Sequence, residues 1–315
     1  DRIYAIDGDA IRIRNEGKPL GLKASSQNLA LLFAQFPPNH EDLFEPAALN
    51  YARLRNISYL PLLARLKHDL PDVRRKRRRK YIQKCTRTCS EFVRSQKAGR
   101  TAVFRRDAQG ETLSRLLNDP QTFMQSGKCL KNGKTSTVVR VQDNGVDWVV
   151  KRYNIKGLRH AFLRYFRPTR AWTSWQNSHR LKISGIATPR AVAVLEKRFG
   201  PLRSTGYYVC DFVAGRHAKD VFQDDAVPDT VKALLAEKFV LLFGLFCKLK
   251  ISHGDCKATN FIFKDNELWV LDLDSMRECS FSLRFKRLFL KDRQRFLFNW
   301  QGLPDLQRWF DEHLP

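Results

Sequence analysis

Residues 122–152 carry a pattern that predicts strand, turn, strand, turn, strand. Positions 123–130 lead in, 131–137 turn, 138–141 return, 143–145 turn again, and 146–150 form an apolar strand that ends on Lys151. Two more strands are expected at 190–195 and 206–212, joined by a turn at 197–201. Residues 157–184 read as a basic helix with Trp172 and Trp175, and 229–250 as a long apolar helix. The apolar run 239–247 follows Glu237 and Lys238 and is about half the length a membrane span needs, so it reads as a buried core helix. That helix leads into His253, and a short hairpin then ends in the strand 267–271.

The pattern near the start of the chain resembles the pattern near its end. An apolar strand followed by Asp7-Gly-Asp9 matches the strand before Asp272-Leu-Asp274, and each is followed by an Arg. The stretch 28–36 lies about as far beyond the first Asp pair as 292–300 lies beyond the second. The repeat predicts that residues 1–60 are the C-lobe remnant of a first kinase-like domain, in a chain that starts at Asp rather than Met. Residues 61–110 read as a basic helical connector. In it Tyr81, Ile82, Cys85, Cys89 and Phe92 recur at helical spacing, and the opposite face is cationic.

Charge sharpens this reading. The 315-residue chain has a formal net charge of +25, and the run Arg74-Arg75-Lys76-Arg77-Arg78-Arg79-Lys80 opens its most basic stretch. Such a balance says nothing about fold but points to a polyanionic partner. No base-reading motif or aromatic platform accompanies the charge, so nucleic acid is not expected; an anionic membrane surface or a phosphorylated glycolipid is. The seven cysteines are scattered. Cys85 and Cys89 make a poor zinc site without a second pair or a nearby His, so all seven are expected as reduced thiols in a cytosolic protein.

The chemistry is concentrated in His253-Gly254-Asp255-Cys256-Lys257-Ala258-Thr259-Asn260 and in Asp272 beyond the hairpin. Phosphoryl transfer needs a carboxylate that accepts a hydroxyl proton, and an amide oxygen and second carboxylate that hold Mg²⁺ on nucleotide phosphates. Asp255, Asn260 and Asp272 fill those roles, and Lys257 can neutralise the transferring group. Lys151, at a strand end, is placed to reach the α- and β-phosphates of ATP. The 131–137 turn, with Gly133 and Ser136, can offer N–H and hydroxyl groups to phosphates. The strand end at Asp211 and Val213 sits where a kinase hinge offers backbone groups to adenine. His253 reads as a brace of the loop rather than a base or metal ligand.

On these residues, and on Val149-Val150-Lys151-Arg152-Tyr153, the 174–180 helix and Thr188-Pro189-Arg190, the chain resembles the bacterial lipopolysaccharide core kinases, the Kdo/heptose kinase family with a protein-kinase-like fold. The resemblance covers about 120–315. It implies an α+β, two-lobed fold, with a small antiparallel-sheet N-lobe over 111–213 and a mainly helical C-lobe over 214–315. It also implies ATP- and Mg²⁺-dependent phosphorylation of a heptose or Kdo hydroxyl of the lipopolysaccharide inner core, on the cytoplasmic face of the inner membrane of a Gram-negative bacterium. Two departures stand out. No Asp or Glu lies between Lys151 and Leu195 to play the helix Glu that pairs with the strand Lys, which makes Asp147 or Asp274 the candidate partners. Gly254 replaces the Arg that reads activation-loop phosphorylation, so activity without a phospho-switch is expected. A catalytically silent scaffold that binds glycolipid or a partner enzyme, and a protein kinase of similar fold, are the alternatives. Oligomeric state is not legible.

Overall fold

A computed structural model describes residues 20–97, 99–154, 168–199 and 202–315. The chain divides into two compact units, Asp1–Arg77 and Arg78–Pro315. In the first, α1 (Leu22–Phe33), α2 (Phe44–Leu54) and the first part of α3 (Tyr59–Lys84) enclose a core of Leu29, Phe33, Phe44, Ala48, Leu62, Leu66 and Leu70. Leu62, Leu66 and Leu70 recur every four residues, which puts one apolar stripe of α3 against α1 and α2. The Asp7–Asp9 half of the expected repeat lies outside the described residues. The helix expected from 28 begins earlier, at Leu22, and the helical unit runs past residue 60 to Arg77.

The second unit corrects the basic connector. Its helix ends at Lys84, and residues 92–105 form a hairpin, β1 (Phe92–Lys97) and β2 (Arg100–Arg105). Arg94, Arg100 and Arg105, which prolong the expected cationic helix face, lie in this hairpin, Arg94 exposed and the other two half-buried, while Phe92, Ala102, Val103 and Phe104 are buried. Arg74 and Arg78 are buried too, each paired with an acid: Arg74 with Glu41 and Arg78 with Glu278.

Next come α4 (Glu111–Asn118) and α5 (Pro120–Gln125), where a strand was expected from 123. Asp119 explains the difference: its carboxylate accepts the N–H groups of Gln121 and Thr122, and Pro120 sits at the first helical position. The chain then forms β3 (Lys128–Asn132), β4 (Ser136–Asp143), β5 (Val146–Tyr153), α6 (Arg170–Ile183), β6 (Ala191–Phe199) and β7 (Leu202–Asp211). All strands so far form one antiparallel seven-stranded sheet in the order β1-β2-β6-β7-β5-β4-β3. The sheet therefore begins at Phe92 rather than within 111–213.

Strand alternation sorts β5 between two cores. Trp148 and Val150 pack with Leu113, Leu116 and Phe123 of α4 and α5, while Val149 and Tyr153 pack with Trp172 and Trp175 of α6. Lys151 shares the second face. Helix and sheet approach closely at Gly206, where a Cβ would lie 2.9 Å from that of Ala171.

The rest of the unit is β8 (Arg216–His217), α7 (Ala218–Gln223), α8 (Asp229–Leu249), β9 (Ile251–Ser252), β10 (Phe261–Lys264), β11 (Glu267–Val270), β12 (Arg277–Glu278), α9 (Ser282–Phe298) and α10 (Pro304–His313). The apolar helix is α8. Leu235, Phe239, Leu242, Phe243, Phe246 and Leu249 face a core shared with Phe261, Phe289, Phe296, Trp300 and Phe310. Lys250, in the left-handed region at φ 53°, ends α8 and turns the chain into β9. Among the described residues no helix is long and apolar enough to cross a membrane.

Candidate active site

The 253–260 loop is held by hydrogen bonds at both ends. His253 is buried. Its Nδ1 accepts the Asp255 N–H at 3.3 Å, which leaves Nε2 to donate to the Leu271 carbonyl at 2.9 Å. The ring thus braces the loop against the strand that leads to Asp272, as expected from sequence. From beneath, Asp292 of α9 accepts the Ser252 hydroxyl and the Gly254 N–H. Gly254 has φ +80°, and a Cβ there would lie 2.8 Å from the Ser275 carbonyl oxygen. Glycine is required for this close approach, whatever the loss of an Arg means for regulation.

Asp255, Lys257 and Asn260 meet in this loop. Asn260 Nδ2 donates to the Asp255 carbonyl at 2.8 Å and to Asp255 Oδ2 at 3.3 Å. Lys257 Nζ is 3.4 Å from Asp255 Oδ1. Arg295 of α9, which sequence reasoning missed, donates to the same Oδ1 at 2.8 Å and to the Gly254 carbonyl at 3.3 Å. With Oδ1 committed to two cations and Oδ2 accepting only the longer Asn260 bond, Oδ2 keeps a lone pair for a hydroxyl proton.

Asp272 adjoins this group because the Leu271 N–H donates to the Asn260 carbonyl at 2.8 Å. Its backbone is in the left-handed region, φ 56°, uncommon for a residue with a Cβ. That turn aims its carboxylate at Lys151 Nζ, with which it pairs. Lys151 also bonds Asp274 at 3.2 Å, and Asp274 is bonded by Arg170 of α6 at 2.7 Å. Burial opposes the Asp274 charge, but Lys151 and Arg170 overcome it and hold its carboxyl below the usual range. Of the two partners suggested for Lys151, Asp274 is the one found; Asp147 is paired with Arg140.

The missing helix Glu thus has a counterpart of opposite polarity. The helix presents Arg170 and the loop supplies the acid. Two more residues on the same side of α6 continue the pattern. Asn177 donates to the carbonyls of Leu273 and Met276 at 2.8 and 2.9 Å, and Arg180 bonds Glu278 at 3.0 Å. The spacing of Arg170, Asn177 and Arg180, set against acids at 274 and 278, was the available signal in the sequence. For Asp292 the signal was its being the only acid in α9.

Other expected site residues are not drawn into the cluster. The Gly133 N–H donates to the Ser136 carbonyl, and Ser136 is buried at the hairpin base. Asp211 pairs with Arg190, and its N–H and that of Phe212 donate to the carbonyls of Arg190 and Asp147. Among the described residues no hydrogen bond or ion pair joins Gly133, Ser136, Asp211 or Val213 to the Lys151–Asp255 group.

The donor set fits a hard divalent cation. Asp272 offers a carboxylate, and Asn260, whose Nδ2 is used, has its amide oxygen left. Among the described residues no three His, Cys, Asp or Glu converge as a metal cage. A cation here would complete its shell with phosphate and water, as Mg²⁺ at nucleotide sites does.

The model of the lipopolysaccharide kinase (Kdo/WaaP) family matches residues 117–300. The chain belongs to this family. Its loop, hairpin and Lys151 strand all fall inside the matched segment, and membership makes it a kinase of lipopolysaccharide biosynthesis. No curated protein matches the chain. A solved structure of WaaP in complex with acyl carrier protein is similar, at TM-score 0.44 and 22% identity over 64% of this chain and 95% of that one.

Proposed function

We propose that the chain is an ATP- and Mg²⁺-dependent kinase that phosphorylates a heptose or Kdo hydroxyl of the lipopolysaccharide inner core, within a two-lobed protein-kinase-like fold. The observation that carries this reading is one unbroken set of contacts from Lys151 through Asp272, Leu271 and Asn260 to Asp255. It joins a phosphate-binding cation, metal-binding oxygens and a carboxylate base. Asp255 Oδ2 takes the proton of the sugar hydroxyl. The sugar oxygen then bonds to the γ-phosphorus as the bond to the ADP oxygen breaks. Lys257 and Arg295 face the developing charge, and Arg295 also holds the Asp255 carboxylate in one orientation. Lys151 exchanges Asp272 for the α- and β-phosphates when nucleotide enters. Mg²⁺ held by Asn260 and Asp272 would neutralise charge on the phosphates.

A missing helix acid would favour a silent scaffold, because nothing would then position the strand Lys. Arg170, by fixing Asp274 and through it Lys151, performs the positioning that acid would have supplied, and so supports an active enzyme. The substrate is anionic and membrane-anchored, which suits the net charge of +25 and a peripheral position at the cytoplasmic face of the inner membrane. The test is transfer of labelled γ-phosphate from ATP to dephosphorylated core lipopolysaccharide. The parent chain should label the core sugars, and Asp255→Ala should lower the rate about 10²- to 10⁴-fold. No transfer by the folded parent chain overturns the proposal.

A further inference from the structure

The outer face of α9 has a composition unlike that of a solvated helix. Leu283, Leu290 and Phe298 are 83%, 55% and 68% exposed. At 3.6 residues per turn they fall within an arc of about 80°, which they share with the exposed Arg287 and Gln294. The opposite face buries Phe285, Phe289, Asp292 and Phe296. Further cations flank these apolar residues, Lys286 on one side and Arg284 and Lys291 on the other. No ion pair among the described residues engages these three or Arg287. The only acid of the helix, Asp292, is buried.

Singly exposed leucines need no explanation. Exposed apolar side chains interleaved with and bordered by unpaired cations are the composition of a helix that lies in a lipid headgroup layer. The basic run of α3 differs: Arg74 and Arg78 are turned inward on acids, and its exposed Lys76, Arg77, Arg79 and Lys80 have no apolar stripe between them. On the Lys291 side of α9, a groove of about 540 Å³ opens toward the 252–254 backbone. Leu288, Lys291, Arg295 and Phe298 line it, and Arg295 is the residue bonded to Asp255.

We propose that this face of α9 docks on an anionic lipid bilayer, with Leu283 and Leu290 inserted among acyl chains, Phe298 at the boundary where the groove opens, and the neighbouring cations on lipid phosphates. The groove then receives the sugars of a bilayer-anchored acceptor and brings a hydroxyl to Asp255. The assignment of the groove rests on the kinase reading above; the docking of α9 stands apart from it.

The test is co-sedimentation of the full chain with vesicles of phosphatidylglycerol and phosphatidylcholine, and with phosphatidylcholine alone. The chain should bind the anionic vesicles, and Leu283→Asp/Leu290→Asp should weaken binding about tenfold or more. Binding of a fluorescent ATP analogue by the same variant should be unchanged, which shows that the site is intact. A Leu283→Trp variant should blue-shift its emission on anionic vesicles only. Unchanged vesicle affinity of the double Asp variant, or no blue shift, overturns the docking face and leaves the kinase reading standing. Failure of the parent chain to bind nucleotide, with vesicle binding retained, counts against the kinase reading alone. Loss of binding only on Arg77→Glu/Arg79→Glu/Lys80→Glu places the membrane contact on α3 and overturns the proposal.

Discussion

Asp292 holds Gly254 from below, accepting its N–H at 2.9 Å while its other oxygen accepts the Ser252 hydroxyl at 2.7 Å. This one carboxylate anchors the loop that carries the proposed base to a helix nearly forty residues further along. Asp292→Ala strands the buried Ser252 hydroxyl and removes the anchor of the Gly254 N–H, so it should destabilise the fold by about 1–3 kcal/mol in urea denaturation and reduce transfer even where the protein remains folded.

Burial raises the Asp292 pKa against the bonds it accepts. A raised carboxyl pKa means that the folded state favours the protonated form. The associated stability is present below the unfolded pKa and is lost as pH rises through the folded one. Asp292→Asn, which does not titrate, should therefore gain stability relative to the parent as pH rises above the ordinary carboxyl pKa. Melting temperatures of the two chains measured from acid to neutral pH check the sign.

Arg170 and Lys151 act on Asp274 in the opposite direction, holding its pKa down. Stability from this cluster is present above the unfolded Asp274 pKa and lost as pH falls through the folded one. Arg170→Met should cost about 1–2 kcal/mol near neutral pH, since Arg170 is partly exposed, and should move acid unfolding to higher pH. If Arg170 positions Lys151 through Asp274, KM for ATP should rise more than kcat falls.

Gly254→Arg restores the residue usual in protein kinases, yet it should not create a phospho-switch. Its Cβ would meet the Ser275 carbonyl at a φ of +80°, which should cost about 1–3 kcal/mol and lower activity.

Phosphorylation should be dispensable. Arg277 and Glu278 of β12 pair with Ser252 and Ile251, and the Cys279 N–H bonds the Lys250 carbonyl, so the segment between Asp274 and α9 is already pinned. Phosphatase treatment, or Ser280→Ala with Ser282→Ala, should leave phosphate transfer within about twofold, because exposed substitutions of this kind remove no buried contact.

What the sequence disclosed was local. The His253–Asn260 spacing and the strand that ends on Lys151 are each short patterns whose parts are neighbours in the chain. What it concealed depends on distant pairing. Arg170 and Asp274 meet only after α6 packs on the sheet, and Arg295 reaches Asp255 only because Asp292 seats α9 under the loop. In β1 and β2 the arginines at 94, 100 and 105 prolonged the basic pattern of α3, and β2 buries four consecutive residues instead of alternating, so a hairpin read as more helix. At residue 123 the capping carboxylate of Asp119 outweighed the apolar pattern. The Asp7–Asp9 repeat falls on residues that are not described.

Arg78 and Arg180 share Glu278, at 2.5 and 3.0 Å, and Trp175 Nε1 donates to the Cys85 carbonyl at 2.7 Å. The last turns of α3 are thus built into the segment that follows the Asp272–Asp274 pair. A smallest self-sufficient kinase cut from this chain has its N-terminal limit ahead of Arg78. Trimming to the family-matched segment would take away two strands of the sheet, and would leave Glu278 with one cation where it now has two.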